Sequence, residues 1–141
     1  AQQSYEQEKQ PHMLELASSY VEKLTGERYT LDILGINKGV ALINNNGERL
    51  ELKFWSSGLA DQVYLALRLA LAKVFSYQVE SLPIILDDIL VRFDENRQRS
   101  ALELLAELGK NQQIWLFTCQ RSVYDMAQSI MGIDCHRLSR S

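Results

Sequence analysis

After a mostly polar stretch over residues 1–10, apolar residues recur at helical spacing. Between Met13 and Leu24 they return every three or four positions, which is the period of a helix with one apolar face. Pro11 precedes this run and suits the first turn of a helix, where its missing N–H costs nothing. Gly26 follows the run and can adopt the left-handed conformation that ends helices. The pattern therefore predicts a helix over residues 12–25.

Strand-like alternation comes next. Apolar and polar residues alternate after the helix, and the alternation returns at Leu50, Leu52 and Phe54. Residues 44–47, which read Asn-Asn-Asn-Gly, favour a hairpin because Asn and Gly tolerate the positive φ that tight hairpin turns need. We predict a three-stranded antiparallel meander over residues 28–55.

The second half of the chain alternates apolar helices with apolar strands. Residues 59–75 are apolar on nearly every side, which is typical of a buried helix. Asp94 is a good cap for a helix that continues to Leu108, where Gly109 ends it. The other elements read as two buried strands, a short helix and a last strand, at residues 82–86, 114–117, 122–130 and 133–138. Buried strands that alternate with helices indicate a parallel sheet, so we predict an α/β fold.

Composition narrows the class of protein. Of the 141 residues, 46% are hydrophobic and 23% charged, and only two are proline, which excludes disordered and collagen-like chains. No apolar run is long enough to span a membrane. The net charge of −3 argues against a domain that grips DNA by itself. Two cysteines cannot form a disulfide framework, so a reducing, intracellular setting is expected.

The first candidate site is the turn Ser56-Ser57-Gly58, which leads into the buried helix. Either serine can cap the helix, and capping alone would explain the residues. The same turn also exposes backbone N–H groups at the positive end of a helix dipole, where a phosphate could bind.

The second candidate site is the pair Asp87-Asp88, at the end of an apolar strand. Open α/β sheets bind ligands at the carboxyl ends of their strands. Two adjacent carboxylates repel each other unless a cation such as Mg²⁺ lies near them. A solvated strand end would explain the pair equally simply.

Polar residues also follow the next strand, in Phe117-Thr118-Cys119-Gln120. Cys119 is most simply a small buried hydrophobic residue. His12 and His136 are far apart in the sequence, and no motif in the sequence pairs either with a nucleophile.

The order of these features resembles the C-terminal lobe of an ABC-type ATPase of the SMC branch, the class that includes double-strand-break repair ATPases and the bacterial SbcC- and YhaN-like proteins. Three strings carry the likeness: Leu24–Tyr29 (LTGERY), Ser56–Ala72 and Pro83–Asp94. The resemblance covers about residues 20–120. It implies a parallel sheet with helices and a small antiparallel meander.

The resemblance also implies roles for residues that meet a second copy of the head. Ser56, Ser57 and Gly58 fall on the ABC signature motif, which contacts the γ-phosphate of ATP held by the opposite subunit. Asp94 matches the D-loop aspartate at the dimer interface.

Three further residues match the hydrolytic centre of the family. Asp87 falls on the Walker B aspartate that supports Mg²⁺, and Asp88 takes the place of the catalytic glutamate that orients the attacking water. Gln120 lies where the switch histidine is expected. Asp88 is one methylene shorter than glutamate and Gln120 cannot act as an imidazole, so slow hydrolysis is expected.

One family motif is missing from the sequence. No G-x-x-x-x-G-K-[ST] phosphate loop occurs, and the only Gly-Lys pair, Gly109-Lys110, has Leu104 where the first glycine belongs. We therefore expect the chain to be a piece of a longer protein. Its own N-terminal lobe would supply the phosphate loop, and residues 1–25 would be the end of a coiled-coil arm that leads into the ATPase lobe at 26–141.

The resulting hypothesis is the C-terminal half of an SMC-like ATPase head that dimerises around ATP and Mg²⁺. The family implies a cytoplasmic, nucleoid-associated protein that acts on DNA in double-strand-break repair or end processing, with a nuclease subunit as partner. Two alternatives remain open: a low-turnover ATP-gated clamp or defence ATPase, and a plain interaction domain without activity.

Overall fold

The computed structural model describes residues 2–33, 40–76 and 83–138, with side chains described from residue 12 onwards except at Ile33 and Ser76. The chain folds as two compact units, Ala1–Ser81 and Leu82–Ser141. The first unit holds a long helix, the meander and a second helix, and the other unit holds the parallel strands. The boundary after residue 25 stays a prediction.

The first helix, α1, is longer than the apolar pattern indicates. It spans Gln2–Thr25 and continues through Pro11, which therefore does not lie in its first turn. Its buried face is formed by Ala17, Tyr20, Val21 and Leu24. The predicted end is confirmed, because Gly26 has a φ of +78° and its N–H donates to the Glu22 carbonyl oxygen at 2.8 Å.

The meander is confirmed as an antiparallel sheet in the order β1-β2-β3, formed by Thr30–Ile33, Val40–Ile43 and Arg49–Glu51. The hairpin between β2 and β3 forms at Asn44, whose side-chain oxygen accepts from the N–H groups of Asn46 and Glu48. Gly47 has a φ of +81°, as this turn requires.

The third strand stops earlier than predicted. Leu52–Phe54 forms a 3-10 turn, so the expectation that Leu52 and Phe54 alternate within a strand is wrong. The indole N–H of Trp55 donates to the Leu50 carbonyl oxygen at 3.0 Å. The backbone N–H of Trp55 donates to the Leu52 carbonyl oxygen at 3.1 Å. These two bonds turn the chain away from the sheet before Leu52 can pair with β2.

The second helix, α2, spans Ser57–Ser76 and packs along α1. One side of α2 is buried, including Val63, Ala66, Leu69 and Ala70. The prediction of a helix buried on nearly every side is wrong for a stripe along α2, where Tyr64, Leu71 and Phe75 are exposed.

A buried amide joins the two helices. Gln62 is only 1% exposed, and its Nε2 donates to the Leu24 carbonyl oxygen at 2.8 Å. Leu24 lies in the last turn of α1, where carbonyl groups have no partner within the helix. Gln62 therefore satisfies the end of α1 from a position in the second turn of α2.

Replacing Gln62 with leucine is expected to lower the free energy of unfolding by roughly 1–3 kcal/mol, because it leaves the Leu24 carbonyl buried without a partner. Glu15→Ala, at an exposed position on α1, is the control, with an expected change within about 0.5 kcal/mol. Urea denaturation measures both. Equal stability of Gln62→Leu and the parent would contradict the role of this hydrogen bond.

The second unit contains the predicted parallel pair. Strands β4 (Ile84–Asp87) and β5 (Ile114–Phe117) pair in parallel, with α3 (Glu95–Leu108) between them in sequence and α4 (Arg121–Gln128) after them. The helix cap at Asp94 is confirmed, since its side chain accepts from the Arg97 N–H at 2.8 Å.

Only one face of this sheet is covered within the described residues. Ile84 and Leu86 are buried, whereas Ile85, Trp115 and Phe117 are 56%, 46% and 45% exposed. The prediction of two fully buried strands is therefore wrong for this face. The register places Ile85 opposite Trp115 and Asp87 opposite Phe117, so these four residues share the uncovered side.

The last predicted strand does not form. Residues 133–138 have an irregular backbone, because a strand needs a ladder partner and the described part of the chain provides none at this segment. Among the described residues, no helix is both long enough and apolar enough to cross a membrane.

Candidate functional site

The turn before α2 has the geometry predicted for it. Ser56 Oγ accepts from the Leu59 N–H at 3.1 Å, and the Ser56 carbonyl oxygen accepts from the Ala60 N–H at 2.9 Å. Ser56 is therefore the N-cap of α2, and Ser56 and Ser57 are exposed. The capping interpretation is confirmed. The first N–H groups of α2 have no partners within the helix itself, as an anion site requires.

The backbone takes an unusual conformation where β4 ends. Asp88 has a φ of +51°, and it is the only non-glycine residue with a positive φ in the described part of the chain. Its N–H donates to the Phe117 carbonyl oxygen at 2.7 Å, which extends the pairing of β4 with β5 by one residue. A left-handed backbone at a non-glycine residue is strained, and such strain is often kept at functional sites.

A threonine connects the two strand ends. Thr118 Oγ1 donates to the Asp88 carboxylate at 3.3 Å and accepts from the Gln120 backbone N–H at 3.1 Å. Asp87 is the exposed last residue of β4. We call Asp87, Asp88, Thr118 and Gln120 the strand-end cluster. The parallel register places these residues at the carboxyl ends of two neighbouring strands.

Sequence reasoning missed Gln98. This residue lies on the buried face of α3 with Ala101, Leu102 and Leu105, and it is 7% exposed. Its Nε2 donates to the Leu90 carbonyl oxygen at 3.1 Å and approaches Gln120 Oε1 at 3.4 Å. The signal was present in the sequence, because a glutamine at an apolar position of a helical repeat needs a buried partner.

Asp94 caps α3 and also lies 3.7 Å from the Arg97 guanidinium, with both side chains partly exposed. Its oxygens are therefore occupied locally, at the N-terminus of α3. Cys119 is exposed rather than buried, so its interpretation as a small core residue is wrong. Cys135 is also a free thiol.

The string Leu24–Tyr29 forms the exit from α1. Thr25 Oγ1 donates to the Val21 carbonyl oxygen at 2.7 Å, and the Tyr29 hydroxyl donates to the Glu27 carboxylate at 2.6 Å. That hydrogen bond, together with partial burial and the Glu27 charge, raises the pKa of Tyr29. Residues 24–29 therefore form a turn held by local hydrogen bonds, which gives Thr25, Glu27 and Tyr29 a structural role.

The donor chemistry of the strand-end cluster fits Mg²⁺, which prefers carboxylate, hydroxyl and phosphate oxygens. The described residues contain no group of three or more His, Cys, Asp or Glu side chains that could enclose a metal by themselves. A metal at Asp87 would therefore share its coordination with a phosphate or with another chain segment. The turn Ser56-Ser57-Gly58 lies in the first unit and the strand-end cluster in the second, so each is described by itself.

Comparison with known proteins supports the likeness in both sequence and fold. No family model matches the chain. Over 122 residues, which are 84% of the chain, it is 34% identical to YhaN of Bacillus subtilis (strain 168), and it spans 12% of the length of that protein.

Solved structures share the fold at lower identity. A structure from work on ATP-driven dimerization and DNA-stimulated activation of SMC ATPases has a TM-score of 0.70 and 16% identity, covering 96% of this chain and 84% of its own. The SMC head domain from Thermotoga maritima has a TM-score of 0.63 and 20% identity, covering 82% of this chain and 40% of its own. An Smc head bound to the C-winged helix domain of ScpA has a TM-score of 0.63 at 16% identity, covering 83% of this chain and 37% of its own. The chain is therefore a relative of YhaN in sequence, and its fold is that of the C-terminal lobe of an SMC-type ATPase head.

Proposed function

We propose that the chain is the C-terminal half of an ATPase head that binds and hydrolyses ATP between two copies. The observation that carries this proposal is the strand-end cluster, in which Thr118 ties the Asp88 carboxylate to the backbone of Gln120 at the carboxyl ends of two parallel strands. A solvated strand end has no need for a strained aspartate held by a neighbouring strand.

Asp87 and Asp88 divide two tasks in this proposal. Asp87 ends β4 with an exposed carboxylate, which would hold Mg²⁺ through oxygen. Bound Mg²⁺ would supply charge stabilisation at the transferring phosphate. Asp88 follows in a left-handed conformation, which turns its side chain out of the strand alternation. Its carboxylate would accept a hydrogen bond from the attacking water and orient it.

The turn at Ser56, Ser57 and Gly58 would act on the ATP of a second copy. The N–H groups at the start of α2 and the exposed Ser57 hydroxyl suit the oxygens of a γ-phosphate. Asp94 would lie at the seam between the copies. ATP then joins two heads, because each nucleotide needs one surface from each of them.

The first partner in this proposal is the N-terminal lobe of the same ATPase head, in the longer protein to which the chain would belong. A parallel sheet is normally covered on both faces, yet Ile85, Trp115 and Phe117 stay exposed here. Covering them with an apolar surface would bury three large side chains, worth roughly 1.5–3 kcal/mol each when burial is complete. The same lobe would bring the phosphate loop that this sequence lacks.

The wider role follows from the family only. We propose action in DNA double-strand-break repair or end processing, in the cytoplasm and at the nucleoid, with a nuclease subunit and with DNA contacted through the full-length protein. A low-turnover clamp or defence ATPase is the second candidate. The short side chain of Asp88 favours this second candidate, because its carboxylate accepts a hydrogen bond from Thr118 at the strand end and reaches less far toward a water than glutamate would. Comparing ATP turnover with dimer lifetime in the full-length protein separates the two.

By itself the chain is expected to fold but to bind ATP weakly or not at all, because most phosphate contacts would come from the missing loop. Isothermal titration calorimetry of Mg·ATP against this chain tests the expectation. Circular dichroism on the same sample serves as the folding control. Micromolar binding by the folded chain would overturn the division of the site between two lobes.

A further inference from the structure

We propose that Gln98 is a positioning residue that fixes the side-chain amide of Gln120, so that Gln120 presents its NH₂ group to the nucleotide. The inference rests on the proposed function, since it concerns the same strand-end cluster. It assigns a role to a residue of α3 that carries no family motif.

The orientation of Gln98 follows from its first partner. Its side-chain terminus lies 3.1 Å from the carbonyl oxygen of Leu90, and a carbonyl oxygen can only accept a hydrogen bond. The atom of Gln98 that faces Leu90 must therefore be the nitrogen. Both Gln98 and Leu90 are buried, at 7% and 2% exposure, so water is not available as a substitute partner.

The orientation of Gln120 follows in turn. The same Gln98 nitrogen lies 3.4 Å from the side-chain terminus of Gln120, and it has a second hydrogen to donate. Gln120 must offer its oxygen to this hydrogen, because two NH₂ groups that face each other form no bond. The NH₂ group of Gln120 is then directed away from α3.

This polarity suits a phosphate. Charge develops on the phosphoryl oxygens during transfer, and fixed hydrogen-bond donors stabilise it whereas an amide oxygen would repel it. Gln98 also holds the Leu90 carbonyl, in the loop between β4 and α3 that ends at Asp94. One buried amide therefore fixes both the donor at Gln120 and the loop that follows Asp88.

The test compares two variants of the full-length protein. Gln98→Glu keeps the size of the side chain but removes both donor hydrogens, so the Gln120 amide should reverse to donate to it. Single-turnover hydrolysis should fall by about 10²-fold, a loss typical of a misaligned catalytic group. The KM for Mg·ATP should be unchanged. Gln98→Met removes the hydrogen bonds without imposing a reversal, and it should lose less activity.

A double-variant cycle separates positioning from a general structural defect. In a Gln120→Ala background, Gln98→Glu should cause a clearly smaller loss of hydrolysis than in the parent, because the amide that it positions is gone and only the Leu90 hydrogen bond is left to lose. A structural defect would act additively. An additive loss in this cycle would overturn the proposal.

Side-chain NMR of this chain tests the orientation without any ATPase activity. In the parent, hydrogen exchange should be slow for the NH₂ group of Gln98 and fast for that of Gln120. In Gln98→Glu, the Gln120 NH₂ group should become protected. Unchanged exchange of Gln120 would overturn the positioning step even if hydrolysis falls. The expected exchange together with parent-level hydrolysis would instead overturn the second half of this proposal, that Gln120 presents its NH₂ group to the nucleotide, and would leave the roles proposed for Asp87 and Asp88 untouched.

Discussion

Replacing Asp88 with asparagine is expected to slow the hydrolysis of bound ATP by on the order of 10²-fold or more, the usual effect of removing a positioned base. Asparagine has nearly the same size and keeps an oxygen that can accept from Thr118, whose hydroxyl lies 3.3 Å from the Asp88 carboxylate. It also tolerates the left-handed backbone at this position, where φ is +51°. The loss should therefore report basicity rather than folding. Single-turnover measurements on the full-length protein are the suitable assay.

Asp87→Asn is the matched control, because it changes the neighbouring carboxylate in the same way. It removes a charge from the surroundings of the metal, so it should weaken Mg·ATP binding as well as turnover. Asp88→Asn should leave binding intact or tighten it, since one of two adjacent negative charges is gone. The ATP-bound dimer should also live longer. Hydrolysis at the parent rate in Asp88→Asn would show that Asp88 does not orient the water.

Replacing Ser56 with arginine is expected to abolish ATP-driven dimerisation of the full-length protein while its monomer stays folded. Ser56 is exposed at the N-terminus of α2, where a bulky side chain meets solvent in the monomer but would fill the space of a partner's γ-phosphate. The variant also loses the cap, because the Ser56 hydroxyl accepts from the Leu59 N–H. Light scattering with and without ATP measures the dimer.

Ser56→Ala separates the two effects of this change. It removes the capping hydroxyl, at a cost of about 1 kcal/mol in stability, but adds no bulk. It should dimerise more readily than Ser56→Arg, and the melting temperatures of the two variants should be similar. An ATP-dependent dimer of normal mass in Ser56→Arg would count against a phosphate contact at this turn.

Local sequence patterns were sufficient to predict the helix caps and turns that are formed by residues close together in the sequence. The caps at Ser56 and Asp94, the left-handed end at Gly26 and the Asn44 hairpin all form as predicted. In each case the residues that decide the conformation lie within a few positions of one another, so their chemistry can be read directly. The same holds for the parallel pairing, because two short apolar strands separated by a helix have few other solutions.

Tertiary contacts decided where elements begin and end. The third strand stops at Glu51, the last of its residues that is paired with β2, and no ladder forms at residues 133–138. Apolar alternation favours a strand, but pairing also needs a neighbour in register. For the same reason the sequence could not show that Ile85 and Trp115 lie on an uncovered face, since burial depends on what packs against the sheet.

The candidate site divides in the same way. The sequence alone was sufficient to select the residues that we propose carry the chemistry, because carboxylates at a strand end and a small-residue turn before a helix are features of neighbouring residues. Only the tertiary structure could join Asp88 to Thr118 and Gln98 to Gln120, across separations of 30 and 22 residues. Hydrogen bonds over such separations depend on strand register and helix packing, which no local pattern encodes. The polarity of the Gln120 amide is therefore a property of the fold.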